Sequence, residues 1–200
     1  MRLPVDPWRF LARLSLWFVG CFLVWLYLGP WYTRLLALTA EVGASLADRA
    51  THVWSEGTTL YFWPKGFATP QRPPAIAAEW IQANTILLFA FMAATPAPTW
   101  KGKARRMSLA FLLVLAWQTL DIVLAIKFGY ATQIDPRAYT ERARYVYAFA
   151  TNVAMYVDTQ VVPFMIWAGI HFRELLGLVG NQGKSEPERA GTHPARVRRA

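Results

Sequence analysis

The residues best suited to chemistry are two aspartates set in apolar stretches, Asp121 and Asp158. Ionisable side chains in such surroundings are costly and usually have a role. Gln118 lies three positions before Asp121, and Thr151 lies seven before Asp158. On a helix both spacings put the paired residues on one face. Asn152 adds a further polar side chain to the second stretch. Facing carboxylates can bind a cation, relay a proton or shape a polar cavity. Neutral, or paired with a nearby Arg, Lys, Tyr or Trp, the same groups simply tie helices together. A third polar group, Glu79, Gln82 and Asn84, opens another apolar stretch. It suits either an outward-facing pocket or a wet helix entrance.

Other chemistries lack their residues. His52 with Glu56, and His171 with Glu174, have helical spacing, but neither pair reaches the ligand count of a zinc site. No metal or cofactor is expected. The sequence contains no Gly-rich phosphate loop and no Ser/His/Asp signature. Cys21 is the one cysteine, which excludes an intrachain disulfide, and its apolar neighbours mark it as a packing residue.

The elements that must position these groups follow from the apolar pattern. Only 16% of the 200 residues are charged and 55% are hydrophobic, against about 25% charged in a soluble domain. The expected class is an all-α integral membrane protein with about four transmembrane helices. The spans fall at about 10–30, 75–95, 107–127 and 145–172. Residues 39–74 form an outer loop holding Glu41, Asp48, Arg49, His52, Glu56, Lys65 and Arg72. Leading into it and across its first part, apolar positions Leu35, Leu38, Val42, Leu46 and Val53 predict a periplasmic amphipathic helix lying on the membrane. The run Gly57–Pro64 suits a short hairpin arm. Trp31 and Tyr32 suit an interfacial anchor. Residues 1–178 make one helical unit, and 179–200 a disordered basic cytoplasmic tail.

The net charge is +9. A nucleic-acid partner is not expected, because the excess lies beside the apolar runs, where the positive-inside rule places it. Lys101, Lys103, Arg105 and Arg106 form a cluster without acids. With four spans, this cluster, the N-terminal Arg2, Arg9 and Arg13, and the tail all lie on one side. The expectation is a bacterial inner-membrane protein with both termini cytoplasmic and the N-terminal apolar run retained.

The layout of the second and third stretches resembles the exosortase and archaeosortase family of multi-span transpeptidases, and more specifically the exosortase H-associated membrane proteins. The resemblance rests on the turn Trp100-Lys101-Gly102-Lys103-Ala104-Arg105-Arg106 and the following Trp117-Gln118-Thr119-Leu120-Asp121-Ile122. It covers about residues 10–174. The family's cysteine nucleophile has no counterpart in Trp80–Ile86. Asp121 and Leu124 stand where the family places Asn and Arg, and the family's histidine is unmatched. The resemblance therefore implies a relative without catalysis: an accessory protein that binds an exosortase or the membrane-embedded sorting tail of its substrates. Two other functions fit the residues: a small transporter or proton-coupled factor using Asp121 and Asp158, and a lipid-modifying enzyme using Glu79 and His52 at the outer interface.

Overall fold

The structure, a computed structural model, describes residues 7–47, 49–97, 99–172 and 176. The predicted tail, 179–200, lies outside the described residues. The chain is mostly helical but not all-α, because a three-stranded sheet interrupts it after the first helix.

Helix α1 runs from Pro7 to Ala47, 41 residues without a stop. At a rise of about 1.5 Å per residue it is about 60 Å long, roughly twice a bilayer's hydrocarbon thickness. The expected end near residue 30 does not occur, although Pro30 lies inside the helix and supplies no N–H. Packing overrides the proline. From Gly29 onward one stripe is buried: Gly29, Tyr32, Thr33, Leu36, Ala40 and Ala44. The Thr33 hydroxyl also donates to the Gly29 carbonyl at 2.9 Å.

Residues 35–47 are not a separate helix but the last turns of α1. Leu38, Val42 and Leu46 are exposed, and the small residues between them face inward. Small side chains let helices approach. A Cβ on Gly43 would stand 2.9 Å from Val123 Cγ2.

Strands β1 (Thr51–Glu56) and β2 (Thr59–Pro64) pair antiparallel, with His52 opposite Trp63 and Trp54 opposite Tyr61. Gly57, at φ 60°, fills the first of the two turn positions between them, as a II′ hairpin turn requires. Strand β3 (Ala75–Ala77) adds to β2. Alternation sends Val53, Leu60 and Phe62 into the core. On the other face His52, Trp54 and Tyr61 stack in series. Phe62 lies so close over Gly129 that a Cβ there would overlap its ring. Glu41 ties the sheet to α1, accepting from Val53 N–H at 3.0 Å and His52 at 3.1 Å and pairing with Lys65 at 2.9 Å.

Helix α2 (Ala78–Ala94) starts three residues later than expected because β3 takes the first turn's place. Helix α3 (Trp100–Gly129) starts seven residues earlier, so the basic cluster belongs to its first turns. Thr99 caps it, accepting from Gly102 N–H at 3.1 Å. A π-helical turn, Tyr130–Ile134, extends α3.

The fourth expected helix is two. Thr140 caps α4 (Glu141–Gln160), and α5 (Val162–Ile170) follows at a bend of 56°. Pro163 explains the break, since it cannot donate to the Thr159 carbonyl.

By length and composition two helices, α1 and α3, are able to cross a membrane, and the α4–α5 pair makes a third if counted as one span. At 17 residues, α2 is apolar but short of the usual twenty or so.

Candidate functional site: polar groups between the helices

Buried polar side chains collect where the helices meet, in two clusters. In the first, α1, α2 and α3 are joined through two glutamines. Gln118 on α3 accepts from the Tyr32 hydroxyl of α1 at 2.7 Å. Its amide donates to the Ile81 carbonyl at 2.7 Å and to Thr85 Oγ1 at 3.0 Å, both on α2. Gln82 on α2 accepts from the Trp25 indole at 3.1 Å and donates to Thr33 Oγ1 at 2.6 Å, both on α1. Nearly two turns further along α1, the Thr39 and Thr119 hydroxyls meet at 2.8 Å. Each glutamine thus uses both ends of its amide, a closed arrangement.

The second cluster joins α2, α3 and α4. Asp158 is 1% exposed, and its Oδ2 accepts from the Asn84 amide at 2.6 Å. Its Oδ1 is buried with no hydrogen-bond partner, as are Trp117 Nε1 and Thr151 Oγ1. The Trp117 indole lies beside Asp158 but short of hydrogen-bond geometry. Asp121, buried on α3, is within electrostatic reach of Asp158. Buried polar atoms are normally paired, so the unpartnered Asp158 Oδ1 with the unpartnered Trp117 Nε1 beside it distinguishes this cluster from the first.

Of the expected site residues, Gln82, Asn84, Gln118, Asp121 and Asp158 are therefore buried between helices. Asn152 is not among them. It is exposed on α4, and its amide donates to the Ala148 carbonyl of its own helix at 2.7 Å. Glu79 is also exposed, and accepts from Thr58 at 2.6 Å, fastening the hairpin turn to α2. In the basic cluster, Lys103 is spent on structure: it donates to the Ala93 carbonyl at 2.8 Å and sits over the Trp17 ring. Lys101 and Arg105 are exposed, and Arg106 is half-buried.

His52 and Glu56 occupy one strand rather than a helix, and His52 pairs with Glu41 instead. His171 is buried, its ring bonded to the Trp167 carbonyl at 2.9 Å, and Glu174 lies outside the described residues. Among the described residues no group of three or more His, Cys, Asp or Glu is placed to hold a metal ion.

Sequence reasoning missed Trp25, Tyr32, Thr33, Thr85 and Trp117. Tyr32 is not an interfacial anchor: it is 6% exposed, whereas neighbouring Trp31 is 61% exposed and carries Arg34 over its ring. The signal was present in the small and polar residues recurring every three or four positions from Gly29 to Ala44.

No family model, curated protein or solved structure matches this chain.

Proposed function

We propose that this chain is a non-enzymatic accessory protein of the bacterial inner membrane that binds a transmembrane segment of a partner. On the resemblance described above, the partner is an exosortase or the sorting helix of its substrate. The supporting observation is the division of α1. From Gly29 onward it is packed against α2, α3 and the sheet, while none of the eighteen residues in its most apolar window is buried. Leu16, Val19, Leu23 and Leu26 are 55–73% exposed there. Gly20 has open space around it, and small residues permit close helix approach in lipid. Of the other small residues suited to such contact, Ser108 and Ala116 are also exposed, whereas Ala93, Ala94 and Ala110 are consumed inside the bundle.

In this reading the chain crosses the membrane four times, within 10–30, 75–95, 107–127 and 145–172, with both termini cytoplasmic. The spans include the short α2 and the bent α4–α5 pair. The cluster from Lys101 to Arg106 supports that orientation.

Two experiments test it. Single cysteines at Thr69, Ala104 and Ala138 in a Cys21→Ala background are labelled with an impermeant thiol reagent. Thr69 and Ala138 should react from outside; reaction at Ala104 would refute four spans. A photocrosslinker at Gly20 or Leu23, with exosortase and substrate co-expressed, should capture one of them, and one at buried Ala37 should not. Crosslinks to lipid alone at both exposed positions would end the accessory reading.

A further inference from the structure

The α4–α5 break and the orphaned atoms beside it belong together. Val161 N–H donates to the Val157 carbonyl and Met165 N–H to the Val161 carbonyl, both at 2.9 Å. Between these two bonds the helical ladder is interrupted. Pro163 has no N–H for Thr159. The carbonyls of Asp158, Thr159 and Gln160 form the C-terminal end of α4, where intrahelical donors run out and the helix dipole is negative. At the same turn stands Asp158, almost wholly buried, with Oδ1 unpartnered. Asp121 contributes a second buried carboxyl group within electrostatic reach. Negative groups therefore accumulate here, the two carboxyl groups buried and the helix end running out to exposed Gln160 and Val161, and the one neutral donor bonded to Asp158, Asn84, serves only Oδ2.

We propose that this junction binds one small hard monovalent cation of the sodium class, ligated by Asp158 Oδ1, the Asp121 carboxylate and main-chain carbonyls of the break. The donor set is oxygen throughout, which suits a hard ion rather than zinc or copper. Broken helices in membranes supply cation ligands in the same way, from unwound carbonyls and half-helix C-terminal ends. A divalent ion fits less well. Magnesium gives up its water reluctantly, and a residue exposed by 1% leaves little room for a hydration shell. Trp117 is a donor only and cannot ligate the ion; its free N–H is the group that can turn to Asp158 when the ion leaves. The site does not depend on what packs against the free part of α1, so it can fail while the accessory reading stands.

The test uses the full-length protein in nanodiscs. Its melting temperature is measured at fixed ionic strength in sodium, potassium or choline chloride, with radioactive sodium binding measured in parallel. Sodium at about a hundredfold excess over its dissociation constant should raise the midpoint by roughly 5 °C or more over choline. Asp158→Asn and Asp121→Asn should weaken sodium binding at least tenfold and abolish the shift. Pro163→Ala keeps both carboxylates but restores a donor to the ladder, and it should weaken sodium binding as well. Equal melting in sodium and choline, a response to pH alone, or a sodium shift that survives Asp158→Asn or is undiminished in Pro163→Ala would each overturn the proposal.

Discussion

The glutamine network between α1, α2 and α3 and the acid cluster between α2, α3 and α4 are made from similar residues in similar burial, yet they end differently. Gln118 finds a donor on α1 and acceptors on α2, and Gln82 finds both a donor and an acceptor on α1. Asp158 finds one donor, for Oδ2, while its own Oδ1 and the neighbouring Trp117 indole N–H find none. A buried network whose members are all satisfied fixes helix register and adds stability; a partly satisfied one costs free energy unless something else completes it. The difference separates structural polarity from a site awaiting an occupant, a distinction the residue types alone do not make.

The comparison breaks first at Gln118. Its replacement by Leu removes three hydrogen bonds and strands the Tyr32 hydroxyl. The expected cost is about 3 kcal/mol, since each orphaned buried group costs about 1–3 kcal/mol. The melting temperature should fall by roughly 6–12 °C. A loss under about 1 kcal/mol would mean the network is not what joins these helices.

Asp158→Leu should cost less, about 1–2 kcal/mol, because only the Asn84 amide loses its partner. Asp158→Asn, measured without sodium, should stay within about 0.5 kcal/mol of the native protein, since an amide oxygen can still accept from Asn84. If Asn proved as damaging as Leu in chemical-denaturant unfolding, the carboxylate would itself be structural and the contrast between the clusters would collapse.

Tyr32→Phe probes the closed cluster more gently. It deletes one hydroxyl and leaves the ring packed edge-on to Trp25. About 1 kcal/mol is expected, and Gln118→Leu in the same background should add less than it does alone, because the two residues share a bond.

How much of this was legible in the sequence depends on what each signal measures. Charge and apolar run length found four apolar stretches and five of the buried polar residues, because both scale with the cost of hiding polar groups. Length failed at α1. Its continuation through Gly29-Pro30 is decided by contacts with α2 and α3, 57 and 86 residues away in the sequence, and no local rule contains them. Binary pattern marked Leu38, Val42 and Leu46, which are exposed, and passed over the alanines and glycine that allow close approach to α3. The strands were half visible in Gly57–Pro64 and hidden in Thr51–Glu56, whose charged and polar residues read as loop. The break between α4 and α5 was written in Pro163, but a proline inside an apolar run announces a kink without its angle.

The smallest expected effect is at Asn152, which the sequence grouped with the intramembrane polar residues. Its amide donates to the Ala148 carbonyl four residues earlier on the same helix, and the side chain is exposed. That carbonyl already accepts from a helical N–H, so losing the amide orphans nothing buried. Alanine also has the higher helix propensity, by up to about 0.7 kcal/mol. These terms nearly cancel, and Asn152→Ala should shift stability by no more than about 0.5 kcal/mol in either direction. Thr151, its neighbour, has a buried hydroxyl without a partner, so it makes a paired control. Thr151→Val should be neutral or slightly stabilising, because it removes an unsatisfied group at nearly constant shape. A loss above about 1 kcal/mol at Asn152 would place its amide against a partner helix and extend the interaction surface from α1 to α4.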